Sequence, residues 1–107
     1  MGWNSRSEVK FLFRHYKLLS LIYKFLRERG VVTFGKLKEA VELEKDWIRY
    51  TLDSLVALGL CRREEDSYYL TNERLLHKIF RKELKLLENS LRKFNINLNK
   101  SALVSSH

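Results

Sequence analysis

The stretch that decides the fold is Val31 to Thr71, VVTFGKLKEAVELEKDWIRYTLDSLVALGLCRREEDSYYLT. Thr33 is a good N-cap for a short helix over about Phe34 to Glu42, because its hydroxyl can accept from an orphan backbone N–H. In that helix Leu37, Ala40 and Val41 line one side, while Lys36, Lys38 and Glu39 face water. Leu43-Glu44-Lys45 makes a turn. A second helix runs from about Lys45 to Leu58, with an inward row of Ile48, Leu52, Leu55 and either Val56 or Leu58. Gly59 closes it. Leu60 to Arg63 and Tyr68 to Leu70 then read as two strands joined by Glu64-Glu65-Asp66-Ser67, a hairpin with an acidic tip.

Long helical patterns flank this block. Ser5-Arg6-Ser7-Glu8 fits a capping box, and an apolar row of Phe11, Leu12, Leu18, Leu19, Ile22, Phe25 and Leu26 follows at spacings of three, four and seven. Gly30 suits the left-handed position that ends a helix. Val31-Val32-Thr33 is β-branched and short enough to add an edge strand beside the hairpin. After the hairpin, Thr71 or Asn72 begins a last helix reaching about Phe94. His77, Phe80, Leu84, Leu87, Leu91, Phe94 and Leu98 alternate at three and four, a heptad seam. Read as such, Phe80, Leu84, Leu87, Leu91 and Phe94 join two copies. The alternative is that the helix folds back on its own domain, with Leu75, Ile79 and Leu86 off the seam to assist. The sequence contains no proline, so long helices run uninterrupted. The tail after Lys100 is expected to fray.

One domain is expected from 107 residues, with a core over about residues 8–71 and a dimerising helix over about residues 72–98. No run of about 18 apolar residues occurs, and the N-terminal residues lack a secretory pattern, so neither a membrane span nor a leader is expected. A single cysteine, Cys61, excludes a disulfide framework within the chain and suits a reducing cytoplasm. It reads as a small buried strand residue. The glycines at 2, 30, 35 and 59 form no phosphate loop, and His15, His77 and His107 show no ligand spacing. No enzyme, metal or cofactor is expected.

The net charge is +8, with pI near 9.8. It divides as +5 over residues 1–30, −2 over residues 31–70 and +5 over residues 71–107. A basic chain favours nucleic acid or another anionic surface. Here the flanking helices carry the positive field.

The run Leu43-Glu44-Lys45-Asp46-Trp47-Ile48-Arg49-Tyr50-Thr51-Leu52, with Leu55 and Gly59-Leu60, resembles winged helix-turn-helix regulators of the ArsR-like and MarR-like kind. Tyr68-Tyr69-Leu70-Thr71, an aromatic strand running into a capped helix, resembles the same group. The likeness covers roughly residues 14–94 and extends to the basic winged-helix chromatin proteins of archaea with a C-terminal dimerising helix. The resemblance implies a mainly α fold with a small β-hairpin wing (α+β), a homodimer, and double-stranded DNA as partner, in transcription regulation or an architectural role. It implies that Lys45, Asp46, Trp47, Arg49 and Tyr50 face the groove.

Physical chemistry assigns roles to these residues separately. Arg49 can give paired donors to guanine or grip a phosphate. Lys45 sits near a helix start, where backbone donors favour anions. Tyr50 can reach a phosphate or a thymine methyl. Trp47 either contacts the duplex or packs on the first helix. Arg62 and Arg63 at the wing base are electrostatic candidates, or else partners of the adjacent acids. Lys36, Lys10, Arg14 and Lys17 can add phosphate contacts. Asp46 and Asp53 oppose phosphate. The rival reading is a protein–protein adaptor in which Trp47, Tyr50 and Tyr68 form an aromatic patch beside an acidic wing.

Overall fold

The computed structural model describes residues 2–94. The chain is mainly helical with one small antiparallel sheet, an α+β fold. Its order is α1 (Gly2–Arg29), β1 (Val31–Thr33), α2 (Phe34–Ala40), α3 (Lys45–Ala57), β2 (Cys61–Glu64), β3 (Ser67–Leu70) and α4 (Glu73–Arg92). Helix α1 is unbroken past His15. It starts upstream of the expected cap, so Ser5 lies inside the helix. Nothing between Gly2 and Ser5 forbids helical backbone, because the segment has no proline.

Gly30 ends α1 at φ +71°, and Gly59 follows α3 at φ +81°, both in the left-handed region that glycine enters without steric cost. Gly30 reverses the chain so that Val31–Thr33 pairs with β3, Val32 opposite Tyr68, and the sheet order is β1-β3-β2. The expected edge strand is present. Thr33 caps α2, its Oγ1 accepting from the Lys36 N–H at 3.3 Å. Asn72 caps α4, its side chain accepting from the Leu75 N–H at 3.0 Å.

The hairpin turn is tighter than expected. Glu64 and Ser67 are paired strand residues, leaving Glu65-Asp66 as a two-residue turn with Glu65 at φ +56°. Its tip is tied down: the Phe34 N–H donates to the Asp66 carbonyl at 2.9 Å, and Arg63 Nε donates to the Glu65 carbonyl at 2.8 Å.

The core joins Leu18, Ile22 and Leu26 of α1 to Leu37, Ile48, Leu52, Leu60 and Tyr68, with Leu76 and Phe80 of α4 closing it. Two expected inward residues, Ala40 and Phe11, are corrected, and of the two offered for the α3 row it is Val56 that turns in. Ala40 is exposed, because α2 ends there and the chain turns away at Val41. Leu58 is exposed at the end of α3, and Val56 packs on the core instead. Phe11 stands 40% exposed near the start of α1, edge-on to Trp47 of α3.

The seam of α4 is the larger correction. Phe80 and Leu91 are 1% and 0% exposed within the single chain, and Leu84 and Leu87 pack against the core. Helix α4 runs antiparallel to α1. The Tyr16 hydroxyl donates to Glu88 at 3.1 Å, and Tyr23 bonds His77 Nδ1 at 2.7 Å and stacks on Phe80. The apolar row is spent on the chain's own core because α1 offers it a complementary stripe at no association cost. Phe94 is partly exposed beyond the end of α4. Leu98 and the tail after Lys100 lie outside the described residues.

Candidate nucleic-acid interface

Helix α3 is braced from beneath and open above. Ile48, Thr51, Leu52 and Leu55 are buried, while Lys45, Asp46, Tyr50 and Ala57 form an exposed ridge. A 3.6-residue period dictates this division, since residues three and four apart share a face. Tyr50, its aromatic member, is 63% exposed. Nothing in the described chain covers the ridge.

Arg49 is turned sideways toward the hairpin. Its guanidinium donates to Asp66 at 3.0 Å and to the Tyr68 hydroxyl at 3.5 Å, and lies 4.0 Å from the centroid of the Phe34 ring. Arg63 donates to Asp53 at 3.1 Å, which also accepts from the Tyr68 hydroxyl at 2.7 Å. Arg62 pairs with Glu64 and lies against the Tyr69 ring. All three arginines therefore have carboxylate partners within the chain. Solvent-exposed pairs of this kind contribute about 0–1 kcal/mol, so exchanging a carboxylate for a phosphate costs little. Burial pushes the Tyr68 phenol above its ordinary range, with Asp53 adding to the rise and Arg49 opposing it.

Among the expected contact residues, Lys45, Lys36 and Lys10 are exposed and make no ion pair among the described residues. Arg14 pairs with Glu42 at 3.2 Å. Trp47 packs on α1: its indole N–H donates to His15 Nδ1 at 3.0 Å, and it meets Phe11 edge-on and Tyr50 at a tilt. Tyr68 is 0% exposed and cannot belong to a surface patch. Its ring joins the core with Arg63 lying over it, and its hydroxyl enters the Arg49–Asp53 network.

A groove of about 300 Å³ lies between α1, α3 and α4, lined by His15, Trp47, Tyr50, Leu58, Ile79 and Glu83 among others. Burial lowers the His15 pKa from its ordinary 6.5, and Glu83 partly opposes the shift. Cys61 is buried, which pushes its thiol up to about 11. Among the described residues, no cluster of three His, Cys, Asp or Glu could hold a metal ion, and no helix is long and apolar enough to cross a membrane.

One charged surface escapes a reading that follows only the apolar row of α4. Arg74, Lys78, Arg81, Lys82, Lys85 and Arg92 are all exposed on the side away from the core. The signal in the sequence is a run of same-sign residues at helical spacing, the complement of the seam.

No family model, curated protein or solved structure matches this chain.

Proposed function

We propose that this chain is a winged helix-turn-helix protein that binds double-stranded DNA, with α3 presented to the major groove and the β2–β3 hairpin as a short wing. The observation that carries the reading is the open α3 ridge. A helix with Ile48, Leu52 and Leu55 buried beneath it holds Lys45 and Tyr50 outward on a rigid support. Its flank is braced to the hairpin through Arg49–Asp66 and Asp53–Arg63. That is the placement a groove-reading helix needs. The +8 charge supplies the attraction to phosphate.

The wing acts as a brace. Its tip is acidic, two residues long and bonded to α2 and α3, which suits fixing α3 better than entering a minor groove. Transcription regulation or duplex packaging are the roles such a module would serve, and a cytoplasmic location fits a single reduced thiol. In this reading homodimerisation uses exposed apolar residues such as Leu86 and Phe94, since the Phe80–Leu91 row is occupied.

A second reading, a protein–protein adaptor, is favoured by one feature. The groove edge exposes Tyr50 and Leu58 beside Trp47, an aromatic and aliphatic anchor set. One comparison separates the two readings. Anisotropy of a labelled random-sequence duplex should fall in Lys45→Ala/Tyr50→Ala and stay near wild type in Leu58→Ser. Equal binding by all three proteins would remove α3 from the DNA contact.

A further inference from the structure

We propose that the outer face of α4 is the track on which this protein holds the phosphate backbone of double-stranded DNA. The proposal rests on the duplex-binding reading above and relocates its electrostatic grip from α3 and the wing to α4.

The ionic surface of α4 is sorted by sign. Its acids are turned inward or to the flanks. Glu88 accepts from Tyr16 of α1, Glu83 lies near enough to His15 to act on its proton affinity, and Glu73 approaches His77 at 4.0 Å. The bases point outward. Arg74, Lys78, Arg81, Lys85 and Arg92 follow one another at spacings of four, three, four and seven, so they share a face, with Lys82 beside them. None has an ion-pair partner among the described residues. From Arg74 to Arg92 the helix advances about 27 Å at 1.5 Å per residue. Like charges at i,i+4 destabilise a helix in isolation. An external polyanion removes that repulsion.

The wing side offers the opposite. Arg49, Arg62 and Arg63 are each held by a carboxylate, and Asp46, Glu64, Glu65 and Asp66 stand exposed among them. Helix α1 spreads its cations: the exposed Lys10, Lys17 and Lys24 stand a heptad apart, Arg14 is paired with Glu42, and Arg27 and Arg29 sit at its end beside Glu28, against the Tyr23 and Phe25 rings. The α4 face therefore gathers six exposed cations on one side of a single helix, none of them in an ion pair among the described residues.

Its chemistry selects a duplex over other polyanions. A duplex presents one phosphate per about 3.4 Å of axis on each strand, so a straight 27 Å element can engage all six cations. The apolar side of α4 is buried in the core, which leaves only Leu86 on its flank and Phe94 just past its end exposed, too little apolar surface to hold a helix in a bilayer interface. No aromatic residue lies on the basic face to stack a single-stranded base or to anchor a partner protein.

The test measures binding of the full chain to a labelled random-sequence DNA duplex between 50 and 200 mM salt. Six phosphate contacts predict a loss of about 10³-fold in wild-type affinity across that range. Lys78→Gln/Arg81→Gln/Lys82→Gln/Lys85→Gln, checked for helix by circular dichroism, should lose only about tenfold across it. It should also bind at least ~100-fold more weakly at 50 mM. Lys24→Gln/Lys38→Gln should keep the wild-type slope. Should the quadruple variant lose helix, Arg81→Gln and Lys85→Gln singly should each lower the slope by about one.

An unchanged slope in folded α4 variants, with binding lost in Lys45→Ala/Tyr50→Ala, would overturn the track and leave the duplex reading intact. No salt-dependent duplex binding by the wild type would overturn both. Tighter binding to a double-stranded RNA of the same sequence would reject DNA as the occupant. So would binding confined to one-to-three phosphatidylserine–phosphatidylcholine vesicles and lost in the α4 variants.

Discussion

Phe80→Ala tests whether α4 belongs to the core of one chain or to a seam between two. Phe80 is 1% exposed and stacks on Tyr23 with ring centroids 5.5 Å apart and planes within 7°. Removing a buried phenylalanine costs about 3–5 kcal/mol, the lost transfer energy plus the cavity left behind. The surroundings are poorly placed to collapse. Tyr23 is held by His77 at 2.7 Å, and Leu76 one turn earlier is itself fully buried. A domain of this size has about 5–15 kcal/mol of total stability, so the variant should lose at least about a fifth of it. With a urea m-value near 2 kcal/mol/M, the midpoint should fall by about 2 M. Urea denaturation followed by circular dichroism at two protein concentrations tenfold apart reads this directly. The shift should be the same at both concentrations. Leu86→Ala, half exposed on the same helix, should stay within about 0.5 kcal/mol of wild type. A loss below 1 kcal/mol for Phe80→Ala, or a wild-type midpoint that rises with protein concentration, would refute the intrachain packing of α4.

Glu65 holds a left-handed backbone at φ +56°, which costs a residue with a Cβ about 1–2 kcal/mol. Glu65→Gly should raise stability by roughly 0.5 kcal/mol after the entropy cost of glycine, read as a higher urea midpoint. His15 has a depressed pKa in the folded chain, so the unfolded chain binds the extra proton first. Its neutral form stabilises fully above pH 6.5, and stability should decline as pH falls below that value. His15→Gln should flatten the slope below about pH 6.5, seen in thermal midpoints across a buffer series. Cys61, with its thiol pushed up to about 11 and its side chain buried, should resist iodoacetamide at pH 8 until urea unfolds the chain. Rapid native labelling would contradict its burial.

The fold was legible where local chemistry decides the backbone. Thr33, Gly30, Gly59 and Asn72 mark helix ends by capping and by tolerance of positive φ, and the structure places an end at each. The edge strand Val31–Thr33 was legible from β-branching. What periodicity could not supply was the partner of an apolar face. The row Phe80–Leu84–Leu87–Leu91 is compatible with a second copy or with α1, and only the antiparallel meeting of Tyr16 with Glu88 and Tyr23 with His77 decides it. Arg49, Arg62 and Arg63 were identifiable as candidate cations, and the adjacent acid Glu64 does pair with Arg62, but the pairings Arg49–Asp66 and Arg63–Asp53 depend on how the hairpin docks on α3. Trp47 was ambiguous for the same reason, and it settles against Phe11 and His15 of α1, more than 30 residues away in sequence. The basic face of α4 was fully encoded in spacing, but reading it requires knowing which side of α4 is covered.

The most direct measurement is an amide chemical-shift titration of the labelled full chain with a short random-sequence DNA duplex at 50 mM salt. Progressive shifts concentrated along 74–92 and at 45–50, with little change along β1 and at the sheet-facing Leu60, are the predicted result. A spectrum unmoved by excess duplex, or shifts confined to the groove around Leu58 and Ile79, would contradict it.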